Sequence, residues 1–271
     1  IMGPPGTGKT HRLVHHYLNE EINNLHTDPQ KIAYVTFTKA AALDGSKKVQ
    51  DVFPGVELLY ISTLHAMGTR ELDISRKQIL TGTKWIQFKN VYPVYSDINF
   101  DSYVNEHGVT INQDRNLQVI NYSRAKLITL EKACIDLNYH EGAVDIFRVQ
   151  QLERDIEYYK GQKNMYEFSD MIKLFVDEEK HLALDAIFLD EAQDLNPSQW
   201  KMFFYIEALC KRSYIAGDDD QTIFKFQGAE SNIFIDLEGE RDDQEQSYRV
   251  PKAVHEQALK ILPHITKRVD K

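Results

Sequence analysis

The residues Gly3-Pro4-Pro5-Gly6-Thr7-Gly8-Lys9-Thr10 decide how this chain is read. They satisfy G-x-x-x-x-G-K-[ST], and a stretch with helical character, Lys9 to Leu25, opens directly behind them. Gly3, Gly6 and Gly8, with Thr7 between the last two, let backbone N–H groups close around a phosphate. The start of the following helix adds positive potential. Lys9 is then placed to reach the β and γ phosphates of a nucleotide, and the Thr10 hydroxyl to ligate Mg²⁺. Without a phosphate the Lys9 side chain is expected to face solvent. The plain alternative is a glycine-rich turn with a chance lysine, and a helix starting at that lysine argues against it.

Outward from this loop, four short apolar runs end in polar clusters, as buried parallel strands do. They are Ile32 to Phe37, Val56 to Ile61, Leu184 to Leu189 and Ser213 to Ala216. Helical stretches lie between them, among them Phe168 to Glu179 and Pro197 to Leu209. This alternation predicts an α/β fold with ligands at the carboxyl ends of the strands. Residues 70–160 have another texture, with helical stretches at Asn116 to Leu137 and Ala143 to Tyr159 and no buried-strand pattern. In the second stretch Val144, Phe147, Leu152, Ile156 and Tyr159 are spaced to share one helix face. Thr81 to Val109 is aromatic and turn-rich and carries no clear pattern.

A phosphate loop needs an acid to hold Mg²⁺ and a group to activate water. Ala186-Ile187-Phe188-Leu189-Asp190-Glu191 supplies a buried strand ending in two carboxylates. Asp190 would meet the metal through water, and Glu191 would be the catalytic base. Taken alone, the pair could simply cap the next helix and favour its dipole.

Composition narrows the class without choosing the function. The chain has 271 residues, 42% hydrophobic, and no run approaches the ~18 apolar residues of a membrane helix. The two cysteines, Cys134 and Cys210, form no metal-type spacing and suit a reducing, cytoplasmic setting. The net charge of −9 opposes broad adhesion to nucleic acid but leaves room for a local groove.

The remaining motifs narrow it further. Val35-Thr36-Phe37-Thr38-Lys39-Ala40-Ala41, Ser62-Thr63-Leu64-His65, Tyr166-Glu167-Phe168-Ser169-Asp170, Asp190-Glu191-Ala192-Gln193-Asp194, Gly217-Asp218-Asp219-Asp220-Gln221-Thr222-Ile223-Phe224 and Ser247-Tyr248-Arg249 occur in this order. Together with the phosphate loop they resemble the UvrD/Rep family of superfamily-one DNA helicases, over nearly the whole chain. The resemblance implies a RecA-like P-loop domain with a parallel sheet, interrupted by a mainly helical subdomain. Residues 1–69 and 161–250 would form the core, 70–160 the insertion, and 251–271 a helix leading to a second core domain. No motif of that second domain follows Arg249, and almost none of the strand before the phosphate loop is present. The natural protein is therefore expected to extend in both directions, and this chain alone to be a weak ATPase that does not unwind duplex.

The resemblance also implies roles. Gln221 would contact the γ-phosphate, Tyr248 would stack on adenine, and Arg249 would stabilise charge in phosphoryl transfer. Phe37, Phe224 and Phe226 would stack on unpaired bases, and Thr38, Thr63 and His65 would touch the DNA backbone. The expected partners are single-stranded DNA and duplex junctions, with ATP and Mg²⁺ as cofactors and travel 3′ to 5′. The aromatics could instead be core, and His65 a buried structural histidine. Two positions depart from the family: Gln227 and His11 stand where arginine is usual, with Arg12 following His11. Two rivals stay open: a P-loop enzyme acting on a small acceptor, and a non-motor protein that recruits or regulates a nuclease or other partner.

Overall fold

A helix, α1 (Lys9–Arg12), leaves the phosphate loop and continues through π-helical turns at Leu13–Leu18 and Glu20–Asn24. The chain then alternates β1 (Ile32–Thr36), α2 (Lys39–Val52), β2 (Tyr60–Thr63) and α3 (Leu64–Glu71). After α4 (Thr83–Val91) comes a short hairpin, β3 (Ser102–Val104) and β4 (Thr110–Asn112). Next are α5 (Arg115–Lys126), α6 (Leu130–Asp136), α7 (Ile146–Lys163) and α8 (Phe168–Asp177). Alternation resumes with β5 (Ala186–Asp190), α9 (Pro197–Glu207) and β6 (Arg212–Ile215), followed by α10 (Ser231–Ile235) and α11 (Lys252–Ala258). This computed structural model describes residues 1–104, 110–112, 114–139, 142–222, 224–244, 246–258 and 260, with backbone only at 102–104, 110–112, 219, 252, 255 and 258.

Four strands form one parallel sheet in the order β2-β1-β5-β6. Every residue of β1 and β5 is buried, as a sheet covered on both faces requires. Side chains alternate between two cores. Ile32, Tyr34, Ala186 and Phe188 pack with Leu13, Leu18 and Val49 on one face. Ala33, Val35, Ile187 and Leu189 pack with Leu64, Met67, Trp200 and Phe203 on the other. Met2 makes parallel bridges to Gly217 and Asp243, which set the phosphate loop beside the end of β6. Within α2, Gly45 lies over the Tyr34 ring, although an interior helical glycine costs ~1 kcal/mol relative to alanine.

A third core gathers buried residues between Leu80 and Tyr159, among them Phe88, Tyr95, Leu117, Ile120, Leu152 and Ile156, with Met165 packed against it. Here the structure corrects three expectations. The stretch Asn116 to Leu137 is two helices, because Leu127 turns left-handed (φ 56) and closes α5. The β3–β4 hairpin stands where no strand was expected, and residues 105–109 of the turn-rich stretch fall outside the described residues. Phe147 is 77% exposed: Val149, Leu152, Ile156 and Tyr159 form the buried face of α7, and Phe147 lies off it. Residues 261–271 of the expected C-terminal helix lie outside the described residues.

An ion-pair network joins α5 and α7 to α8. Arg124 meets Glu167, Glu157 and Glu153, while Lys160 meets Glu167, Asp170 and Glu157. Burial works against the Glu167 charge, yet Arg124 and Lys160 hold its carboxyl below the usual range. Removing one partner from such a buried pair costs about 3–5 kcal/mol, because the other charge is left uncompensated. Lys126 reaches further, pairing with Glu230 just before α10. Among the described residues, no helix is long and apolar enough to cross a membrane.

Candidate nucleotide site and strand face

The phosphate loop is held open by backbone that only glycine adopts cheaply. Gly6 and Gly8 have φ of 75° and 87°. The segment Ser247-Tyr248-Arg249 lies directly on the loop. The Ser247 hydroxyl donates to the Pro5 carbonyl at 2.7 Å, and the Tyr248 N–H donates to Gly6 O at 2.8 Å. A Cβ on Gly6 would stand 2.5 Å from that of Arg249. Tyr248 itself is 79% exposed, and Arg249 is exposed beside it. Of the two residues after Thr10, Arg12 turns away to pair with Asp242 at 2.8 Å, and exposed His11 stacks on His15 at 3.8 Å.

Lys9 does not face solvent as expected. It is 9% exposed, and its ammonium donates to the carbonyls of Gly3 and Pro4 at 2.8 and 3.1 Å. The physical reason is local: the loop that would wrap a phosphate also points carbonyls at the lysine. Asp218 stands 4.0 Å from the same ammonium.

The start of α1 and the carboxyl end of β5 bring the metal-type donors together. Thr10 Oγ1 donates to Asp190 Oδ2 at 2.7 Å, and Asp190 Oδ1 accepts from the Glu191 N–H at 3.0 Å. A hydroxyl and a carboxylate side by side are hard oxygen donors of the kind Mg²⁺ takes alongside phosphates. Glu191 has left-handed backbone (φ 57), which swings its side chain off the strand line. Burial, then the neighbouring Asp190 charge, raises its carboxyl above the usual range, which makes it a better proton acceptor.

Gln193 ties this end to β6. Its amide donates to Glu191 Oε2 at 2.8 Å, and its carbonyl accepts from the Asp218 N–H at 2.8 Å. Gly217 must be small there, since a Cβ would lie 2.7 Å from that carbonyl. Asp218 in turn accepts from the Asp220 N–H at 3.1 Å and from the Gln221 amide. Glu191, Gln193, Asp218, Gln221 and Lys9 therefore form one connected set. Asp194, buried nearby, has its carboxyl pushed up to about 8 by burial and by the charges of Glu191 and Asp218.

Beyond Gln221 the same loop reaches the aromatic group; Ile223, within the motif, lies outside the described residues. Phe224 is 3% exposed and packs on half-buried Phe37 at 5.0 Å, whereas Phe226 is 51% exposed, 6.3 Å from Phe224. The two rings expected to act alike are thus placed differently. Thr38 and Thr63 cap α2 and α3, accepting from Ala41 N–H at 3.1 Å and Ala66 N–H at 3.2 Å. His65, half-buried and edge-on to Phe168 at 6.4 Å, has its imidazole pushed down to about 4 by burial. It is neutral at physiological pH and offers a phosphate no charge.

Gln193 and Asp218 stand inside recognisable motifs, but pattern alone assigns them no task. Tyr34 reads as an ordinary core position, yet its hydroxyl donates to Asp190 Oδ2 at 2.8 Å. Only an unexpected polar ring in an apolar strand signals it.

A phosphate loop, paired hydroxyl and carboxylate, and a second acid at the carboxyl end of a parallel sheet define a P-loop nucleotide-binding domain. The chain belongs to the UvrD/REP helicase N-terminal domain family, whose model matches residues 1–242. It is 26% identical to the ATP-dependent DNA helicase PcrA of Bacillus subtilis over 298 residues, covering all of this chain and 38% of that protein. It is 23% identical to PcrA of Leuconostoc citreum, again covering all of this chain and 38% of the relative. To the ATP-dependent DNA helicase Rep of Buchnera aphidicola it is 25% identical, over 88% of this chain and 36% of that protein. The chain thus spans well under half the length of these relatives.

Proposed function

We propose that this chain is the ATP-binding half of a motor that hydrolyses ATP to move along single-stranded DNA and open duplex, travelling 3′ to 5′ in the cytoplasm. Residues 1–69 and 161–250 would be its core, 70–160 an insertion, and the segment from 251 a lead into a second core domain. The observation that carries this reading is the connected path from Lys9 and Glu191 through Gln193 and Asp218 to Gln221. The loop that continues from Gln221 presents Phe226 to solvent. An enzyme acting on a small acceptor has no use for such a path.

In the proposed cycle Lys9 exchanges the Gly3 and Pro4 carbonyls for β and γ phosphate oxygens. Thr10 and Asp190 would hold Mg²⁺, which would supply neutralisation of phosphate charge when bound. Glu191 accepts the proton of the attacking water at its carboxylate. Gln221 leaves or keeps Asp218 according to whether a γ-phosphate is there to receive its amide. Tyr248, exposed above the loop, stacks on adenine, and Arg249 meets charge developing on the transferred phosphoryl group. Phe226 stacks on a base from outside, supported by Phe224 and Phe37 beneath. Thr38 and Thr63 can still offer their hydroxyl protons to DNA phosphates, because capping uses only their oxygens as acceptors.

The test uses the longer protein: ATP hydrolysis with and without single-stranded DNA, and strand affinity with and without a non-hydrolysable ATP analogue. Stimulated hydrolysis and a nucleotide-dependent affinity are expected. Hydrolysis indifferent to DNA, with strand affinity indifferent to nucleotide, would instead favour a non-motor role in recruiting a partner.

A further inference from the structure

Tyr34 lies in β1 with no exposed surface, on a sheet face otherwise filled by Leu18, Val49 and Phe188. Its ring stacks with Phe188 at 6.4 Å, a contact phenylalanine would make equally well. The hydroxyl is therefore the part that needs a reason, since a buried phenol costs stability unless it finds a partner. It finds Asp190 Oδ2 at 2.8 Å, the same oxygen that accepts from Thr10 at 2.7 Å. With the Glu191 N–H on Oδ1 at 3.0 Å, both oxygens of a buried carboxylate are oriented by protein donors. Room for the ring comes from α2: a Cβ on Gly45 would stand 2.8 Å from Tyr34 Cε1, closer than side-chain carbons approach. Gly45 has no left-handed backbone to explain it.

We propose that Tyr34 is a positioning residue that orients Asp190 for Mg²⁺, and that Gly45 is glycine so that the tyrosine can reach it. The inference rests on the reading of Thr10 and Asp190 as the Mg²⁺ pair. Partners that orient a metal-binding carboxylate typically contribute 10–100-fold to metal affinity.

The experiment measures Mn²⁺ binding by electron paramagnetic resonance, competed with Mg²⁺, on this chain loaded with a non-hydrolysable ATP analogue. Tyr34→Phe should weaken metal binding about 10–100-fold while analogue affinity in chelator and the circular dichroism spectrum stay as in wild type. Gly45→Ala should weaken metal binding too, although alanine is the better helix former, and should add no further loss in the Tyr34→Phe background. Wild-type metal affinity in Tyr34→Phe, with Asp190→Asn strongly impaired, would overturn the inference and leave the Mg²⁺ reading intact. Equal losses from Gly45→Ala in both backgrounds would also overturn it, because the glycine would then act without the hydroxyl. Wild-type metal affinity in Asp190→Asn would remove the Mg²⁺ reading itself.

Discussion

The phosphate end and the strand face of this molecule are built from the same strand ends but are finished differently. At the phosphate end, Lys9, Thr10, Asp190, Glu191 and Gln221 each have a protein partner within one connected set. In the proposed cycle the Lys9 and Gln221 bonds are exchanged when a nucleotide arrives while Asp190 keeps its orienting donors, so binding there would include a rearrangement. On the proposed strand face, Thr38 and Thr63 hold helix caps, His65 is neutral, and Phe226, beside exposed Lys225, is the exposed ring of the three phenylalanines. Contact there adds to what exists. On the proposed reading, nucleotide state would be transmitted by swapping partners at one end, while the other end offers Phe226 without giving up an existing bond.

The comparison breaks first at Glu191. Glu191→Gln keeps the shape and the Gln193 contact but cannot take a proton, so hydrolysis in the longer protein should fall roughly 10²–10⁴-fold. Mg·ATP affinity should persist. Single-turnover hydrolysis measured beside equilibrium binding checks both, and a wild-type rate would exclude Glu191 as the base.

On the strand face the two phenylalanines should separate. Phe224→Ala empties a buried site and should cost about 3–5 kcal/mol of stability, read by denaturant unfolding. Phe226→Ala should leave stability nearly unchanged and weaken single-strand affinity by about 1–3 kcal/mol, with an unchanged salt slope. Loss of stability from Phe226→Ala with intact strand affinity would move that ring into the core as well.

Lys9→Ala removes charge-assisted hydrogen bonds to phosphate and should weaken ATP binding by about 1.5–3 kcal/mol, measured by calorimetry. Because Lys9 is buried on the loop carbonyls, a modest shift in melting temperature should accompany it. Unchanged ATP affinity would dissociate the loop from the nucleotide.

The smallest effect concerns pH. His65 titrates near 4 in the fold against an ordinary 6.5, so the unfolded chain binds the proton first. Its contribution is complete above pH 6.5 and is lost as pH falls toward 4, amounting to about 1–2 kcal/mol after allowance for partial exposure. Strand affinity should not acquire a His65-dependent rise over that interval. Melting curves of wild type and His65→Gln from pH 7 to 4 test the sign: the wild type should lose more.

The sequence by itself determined what depends on neighbours along the chain. The phosphate loop, the helix behind it and the acids ending β5 are local patterns, because a turn and a strand end are fixed by a handful of consecutive residues. Burial and partnership were decided only by the tertiary structure. Phe224 and Phe226 are two residues apart and look equivalent, yet one is covered by Phe37 from β1's end and the other is open. Lys9 folds inward because Gly3, Pro4 and Asp218 surround its ammonium. Tyr34 meets Asp190 across 156 positions of sequence because β1 and β5 are adjacent in register. A residue's own letter sets its chemistry; which groups it meets depends on segments that come together only when the sheet closes.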